Sequence, residues 1–412
     1  MTQAAPPDAA PPALDGAYAW TRLALSLAVA LIGNAGMWAV ILVMPAVEAD
    51  FGLDRADASI PYATTMTGFA IGNLLIGRMV DRMGAGWTLA GAGLALAAAF
   101  WAAAGAESKW MLSAVQLVIG LGSAAGFAPL IADISHWFAR RRGVAVAAAA
   151  SGNYLSGAVW PLVLAPWLVE GDWRGAYLVL ALASGAVMAP LSLALLRRPP
   201  EAHLAAADAA AARAKRESGI GSRALIWLLA VAGVACCVAM SMPQVHIVAM
   251  CVDLGYGAAA GGEMLSLMLA AGVVSRVASG FAADRFGGVP TLLAGSTLQM
   301  IALTLYLPFD GLASLYVVSF IFGLSQGGIV PSYAVIVREY LPAREAGARV
   351  GFVIMSTIVG MALGGWVSGW LFDVTGNYAA ALLNGIAFNA LNIAVMAALL
   401  LRTTGGARPA PA

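Results

Sequence analysis

Apolar runs of about 20 residues recur along this chain, separated by short stretches rich in Gly, Asp and Arg. Twenty residues of helix rise about 30 Å, the thickness of a bilayer's hydrocarbon core. The runs predict twelve spans: Trp20–Val47, Ala58–Val80, Trp87–Gly105, Trp110–His136, Gly143–Val169, Arg174–Leu196, Arg223–Cys251, Gly261–Ala283, Val289–Leu307, Gly311–Val337, Ala348–Phe372 and Tyr378–Leu401. Prolines at 161, 243 and 331 fall inside runs, which a membrane helix tolerates where its neighbours satisfy the freed backbone. Trp20, Trp87, Trp101, Trp110 and Trp173 fall near span ends and read as an interfacial aromatic belt.

Composition changes the picture in one direction only. Of 412 residues, 61% are hydrophobic and 10% charged, against about 25% charged in soluble domains. The reading is therefore an all-α, multi-pass membrane protein. A net charge of +1 argues against nucleic acid as a partner. Cys236, Cys237 and Cys251 lie in or beside an apolar run and read as packed thiols. The chain carries no HExxH, paired CxxC or GxxxxGK[ST] pattern, so no metal, cofactor, direct ATP use or enzymatic role is expected.

Basic residues set the expected orientation. One set of connections holds Arg55, Lys109 and Arg174; the other holds Arg78, Arg82, Arg140 to Arg142, Arg197, Arg198, Arg285, Arg338, Arg344 and Arg349, among others. That asymmetry places both termini in the cytoplasm of a cell whose plasma membrane the chain crosses. The expected division is a tail over 1–19, a six-helix bundle over 20–197, a linker over 198–222, a second six-helix bundle over 223–402 and a tail over 403–412.

The two bundles repeat. GRMVDRMG at 77–84 returns as GFAADRFG at 280–287, and Asp50-Phe51-Gly52 returns as Asp253-Leu254-Gly255, both 203 residues on. Pro129 and Pro331 match at an offset of 202. Duplicated halves predict a binding site between them, exposed by rocking one against the other. Within the repeat, Gly77, Asp81, Arg82 and Gly84, with Gly280, Asp284, Arg285 and Gly287, form a conformational gate: glycine for close approach and a tight turn, aspartate and arginine for contacts to neighbouring spans. Asp133 and Arg142, flanking the connection between spans four and five, are the expected partners. Such contacts exist only when the cytoplasmic ends meet.

Arg276 is the only charged residue between Glu263 and Asp284. A guanidinium cannot shed its charge, and holding it at the centre of a membrane helix costs roughly 2.5–3.5 kcal/mol on insertion scales. Two readings follow: it binds an anionic substrate, or it snorkels toward Asp284 and pairs permanently. Asn34 and Trp38 on one face of span one, Asn153 and Tyr154 in span five, Gln326 in span ten and the deeper Tyr333 are candidates for the rest of a substrate pocket. Each of these side chains serves equally well as interhelical glue. His246 is the candidate for carrying a proton.

The repeated GxxxDRxG motif within twelve spans resembles the major facilitator superfamily. A narrower resemblance is to its monocarboxylate transporters. Asp15-Gly16-Ala17-Tyr18-Ala19-Trp20 is similar to that family's entry into helix 1, and Trp137 to Ala145, WFARRRGVA, is similar to its motif leading into helix 5. Arg276, four residues before Gly280, stands where that family keeps an arginine for the substrate carboxylate. Two departures accompany the match: Gly272 stands where proton-coupled members keep an aspartate, and Ala35–Val43 lacks their lysine. Related oxalate/formate exchangers carry a second cation in helix 11, whereas Gly351–Phe372 has neither Lys nor Arg. The resemblance implies a secondary active carrier, monomeric, moving a small monocarboxylate such as lactate or pyruvate with a proton by alternating access. The alternative is an exchanger of the oxalate/formate type, or a carrier of a larger carboxylate.

Overall fold

The computed structural model describes residues 14–138, 142–197, 222–340 and 343–405. Among these residues the regular structure is helical throughout. The first half of the chain forms α1 (Ala17–Gly33), α2 (Ala35–Phe51), α3 (Arg55–Met83), α4 (Ala85–Ala104), α5 (Lys109–Ser123), α6 (Ala128–Ser135), α7 (Arg142–Glu170), α8 (Trp173–Leu182) and α9 (Ala189–Leu193). The second half forms α10 (Ser222–Asp253), α11 (Gly257–Phe286), α12 (Gly288–Leu305), α13 (Leu312–Gln326), α14 (Ile329–Tyr340), α15 (Ala343–Thr375) and α16 (Ala379–Gly405).

Several expected spans are pairs of helices joined by a break. Span one breaks at Asn34, whose amide nitrogen donates to the carbonyls of Ala30 and Gly126, both at 2.8 Å. Span four breaks between Ser123 and Ala128, and span ten between Gln326 and Ile329. Pro129 and Pro331 each follow the break at the start of the new helix, where a missing N–H costs nothing. Span six passes through a π-helical turn at Ala183–Met188.

Among the described residues, ten stretches are long and apolar enough to cross a membrane. The two remaining expected spans, α3 and α7, are each 29 residues long, but Thr64, Thr65, Thr67 and Asn73 in α3 and Ser151, Asn153, Tyr154 and Ser156 in α7 dilute their hydropathy. Except for the exposed Thr67, these polar residues are buried or half-buried, and both helices pack against the second half of the chain. The outer surface is greasy: Trp101 is 70% exposed and Phe281 67%, so lipid and not water must cover it.

The repeat is geometric as well as textual. Gly84 and Gly287 both adopt φ +86°, with ψ of 163° and 166°, a region open in practice only to glycine. Each closes one helix and opens the next. A methyl group at Gly120 would fall 1.9 Å from the Thr65 carbonyl oxygen, and one at Gly323 would fall 2.1 Å from that of Met268. Those glycines, again 203 apart, let α5 press on α3 and α13 on α11 backbone to backbone.

The tryptophan belt holds in part. Trp20, Trp87, Trp101 and Trp110 are exposed, whereas Trp173 is buried. Its indole N–H donates to Asp50 at 3.2 Å and its ring lies 4.1 Å from the Arg174 guanidinium, so it packs a helix corner and is not a belt residue. The three cysteines are free and buried.

Candidate functional site

Arg276 lies on α11 and is 7% exposed. Its Nε donates to the Gly327 carbonyl at 3.1 Å, and one terminal nitrogen donates to the Ala150 carbonyl at 2.6 Å. The guanidinium carbon sits 4.0 Å from the ring centroid of Tyr154. Ala150 and Tyr154 belong to α7, so this cation joins the two halves of the chain. Among the described residues no carboxylate pairs with it. The side chain of Asp284, the partner in the second reading of Arg276, lies outside the described residues. Carbonyl dipoles and an aromatic face hold the charge, and neither neutralises it.

The surroundings explain Gly272. A methyl group there would fall 2.9 Å from the Tyr154 ring, so a larger side chain one turn before Arg276 would displace the ring on which Arg276 rests. A methyl at Gly157 would likewise fall 2.7 Å from the Trp38 indole. The Trp38 N–H donates to both the backbone and side-chain oxygens of Asn153 at 3.0 Å. Trp38, Asn153, Tyr154 and Arg276 thus form one continuous surface drawn from α2, α7 and α11.

Three other expected pocket residues sit elsewhere or only at its edge. The Asn34 amide nitrogen is committed to the helix break and the Gly126 carbonyl, while its buried Oδ1 has no hydrogen-bond partner among the described residues. Tyr333 donates to Asn392 at 2.8 Å, and Asn392 in turn donates to Ser296; this network knits α12, α14 and α16 together within the second half. Gln326 accepts from Gln244 at 2.5 Å and is next to Gly327, so it borders the Arg276 surface. His246 is fully buried, its Nε2 2.7 Å from the Gly365 carbonyl. Two surface grooves, of about 270 and about 520 Å³, are apolar and lined by none of the Arg276 cluster.

Among the described residues, the gate side chains at the end carrying the repeated motif form no ion pair with one another. Arg82 and Arg285 are exposed and form no ion pair among the described residues. A methyl at Gly77 or Gly280 would meet nothing within 4 Å. The side chains of Asp81, Arg142 and Asp284 lie outside the described residues. Asp133 takes a partner that the chain's spacing did not suggest. Arg22 of α1 grips it with two nitrogens at 2.7 and 2.8 Å, and also reaches the Tyr18 hydroxyl and the Leu195 carbonyl. Trp137 stacks over Arg22 at 4.8 Å and meets Tyr18 edge-on. The backbone N–H of Asp15 donates to the Trp137 carbonyl. The two stretches resembling family signatures, 15–20 and 137–145, therefore meet through their described residues.

The opposite end is sealed. Arg55, at the start of α3, is 3% exposed. Its Nε lies 2.8 Å from Glu48 of α2, another nitrogen contacts both oxygens of Asp253 of α10 at 3.0 and 3.1 Å, and the third donates to the Tyr378 hydroxyl at 2.7 Å. Tyr378 donates onward to Asp253, and Asp373 of α15 accepts from the backbone N–H groups of Arg55 and Ala56. In the sequence Arg55 is only a loop cation. The one signal was Asp253, already marked by the repeat.

Bundles of this build, duplicated and bridged by a buried cation, are the architecture of solute carriers, and this chain is a multi-pass transporter. The sequence model of the Major Facilitator Superfamily matches residues 25–262 and 228–412, and the chain belongs to that superfamily. Monocarboxylate transporter 13 of Bos taurus is 31% identical over 284 residues, a match covering 66% of this chain and 64% of the bovine protein's length. Monocarboxylate transporter 11 of Mus musculus is 28% identical over 92% of this chain and 86% of its own. The 4-hydroxybenzoate transporter PcaK of Acinetobacter baylyi is 29% identical over 45% of this chain and 43% of its own. Among solved structures, a bacterial homolog of the human lysosomal transporter Spinster superposes with a TM-score of 0.72 at 14% identity, covering 96% of this chain and 99% of that one.

Proposed function

We propose that this protein is a secondary active carrier of small organic monocarboxylates of the lactate or pyruvate kind, taken up together with a proton. The observation that carries the reading is the placement of Arg276: a buried permanent cation where α7 meets α11, held by carbonyls and a ring. A substrate carboxylate would take over the guanidinium edge that now bonds the Ala150 carbonyl, a stronger, charge-assisted pairing. Trp38 and Tyr154 offer apolar surface to a short tail, and Asn153 a polar group to a hydroxyl or keto oxygen.

In this reading the bundles 20–197 and 223–402 rock about the Arg276 surface, 198–222 links them, and both termini face the cytoplasm of a cell membrane. The Arg55 end then faces outward and is shut, and the DRxG end faces inward. A proton is the expected companion because each uncompensated anion entering a cell costs about 2.3 kcal/mol per 100 mV.

The test is substrate counterflow in proteoliposomes. Arg276→Ala should abolish lactate and pyruvate counterflow while the protein stays monodisperse in detergent; retained counterflow would refute the role. A second reading, exchange of organic anions, is favoured by Gly272, since the site lacks the carboxylate that would take a proton there. Trans-stimulation by internal anion without dependence on a pH gradient would select it, and the similarity to a hydroxybenzoate carrier makes aromatic acids the first larger substrates to try.

A further inference from the structure

The sealed end holds more negative charge than its closure requires. Glu48, Asp253 and Asp373 surround one guanidinium, that of Arg55, a net charge of −2 when all three are ionised. The three acids are not equally served. Asp253 receives two contacts from Arg55 and the Tyr378 hydroxyl. Asp373 accepts two backbone N–H groups at the opening of α3, where the helix dipole favours an anion. Glu48 has the poorest position. Its Oε2 lies 2.8 Å from Arg55 Nε, yet the approach is too bent for a hydrogen bond, and both buried atoms are left without one.

We propose that this cluster is a proton-binding site, that Glu48 takes the proton, and that the proton is bound as this end of the carrier closes. The argument rests on which half supplies which charge. Arg55 and Glu48 come from the first half, Asp253 and Asp373 from the second. With Glu48 ionised, the first half brings no net charge to an acidic partner. With Glu48 protonated, it brings +1 against −2, and closing the halves is favoured by Coulomb attraction in a partly buried site. The added hydrogen stands on the carboxyl, and water at this end is its donor. Glu48 keeps 22% of its side chain exposed, so it exchanges with that medium.

Other ionisable groups face this region. Asp50 pairs with Arg174 of α8, and Asp57 of α3 with Lys109 of α5; Asp54 caps α3 through the Asp57 N–H. His246 of α10 lies beneath, its ring 6.4 Å from that of Tyr378. None of these joins the contacts that cross from half to half at Arg55.

The sign follows from linkage: the closed form binds the extra proton, so closure strengthens as pH falls, by at most tenfold in the closed-to-open ratio per pH unit for one proton. The experiment places spin labels at Glu107→Cys and Asp310→Cys, exposed loop positions at this end, in purified full-length protein without substrate; the three native cysteines are buried. Between pH 8 and pH 5.5 the short-distance population should rise by about threefold or more, within the one-proton limit. In Glu48→Gln it should stay high and flat with pH, Glu48→Asp should keep the response, and His246→Gln should keep it too. A wild-type distance distribution insensitive to pH, an unchanged response in Glu48→Gln, or a response lost in His246→Gln overturns the proposal. The inference rests on the carrier reading for its purpose, but the measurement needs no substrate, so its failure is distinct from failure of the monocarboxylate assignment.

Discussion

At the scale of single residues, the informative ones are those whose chemistry has a cost in lipid. Arg276 was legible because a guanidinium in an apolar run needs a reason. Its support was only half legible. Tyr154 and Trp38 stood at the right depth, yet no sequence pattern says that Gly272 and Gly157 clear the space their rings occupy. Tyr333 and the Asn34 nitrogen bond within the helices for a physical reason: a buried amide or phenol at mid-span seeks a partner, and a broken helix or a neighbouring amide supplies one as readily as a ligand does. Two outcomes follow. Tyr154→Phe should keep substrate affinity within about twofold, whereas Tyr154→Ala should weaken it by more than about twofold and up to about thirtyfold, the range for a desolvated cation–π contact of roughly 0.5–2 kcal/mol; the half-saturation concentration for uptake reads this. Gly272→Asp should lower transport by displacing the Tyr154 ring, and Gly272→Asp with Tyr154→Ala should recover part of what Gly272→Asp alone loses.

At the scale of elements, helix existence was readable and helix continuity was not. Apolar length dictates a span because a bilayer leaves the backbone no other partner than itself. The breaks at Asn34 and after Ser123 depend on what the neighbouring helix offers, which is tertiary information. The paired ends at Gly84 and Gly287 are the exception, since a glycine closing the same motif twice announces its own backbone. Alanine at either position should lower the detergent melting temperature, a strain of about 1–3 kcal/mol. The Arg22–Asp133 pair belongs here as well. Both side chains are nearly inaccessible, at 1% and 6%, so Asp133→Asn, which leaves a buried charge alone, should cost about 3–5 kcal/mol. Replacing both partners with apolar residues should cost markedly less, a contrast that a double-mutant cycle in thermal unfolding measures.

At the scale of the whole molecule, duplication made the architecture readable: two anchors 203 residues apart and a third at 202 imply two similar bundles, and Gly120 with Gly323 extends the correspondence to a helix crossing. The closed end was not readable. Its network draws Glu48, Arg55, Asp253, Asp373 and Tyr378 from five helices or their flanks, and none is unusual in its own loop. Breaking it should move the whole molecule: Arg55→Ala should depopulate the sealed form, read as a loss of the short-distance population between spin labels at Glu107→Cys and Asp310→Cys.

The meeting of Asp15, Tyr18 and Arg22 with Trp137 and Asp133 has a practical side. The leading stretch is a structural wedge under the corner that α6 makes before α7, so trimming past Leu14, or fusing a bulky partner directly onto Asp15, should loosen that corner. A detection tag belongs ahead of the wedge with a spacer, or at the other end of the polypeptide.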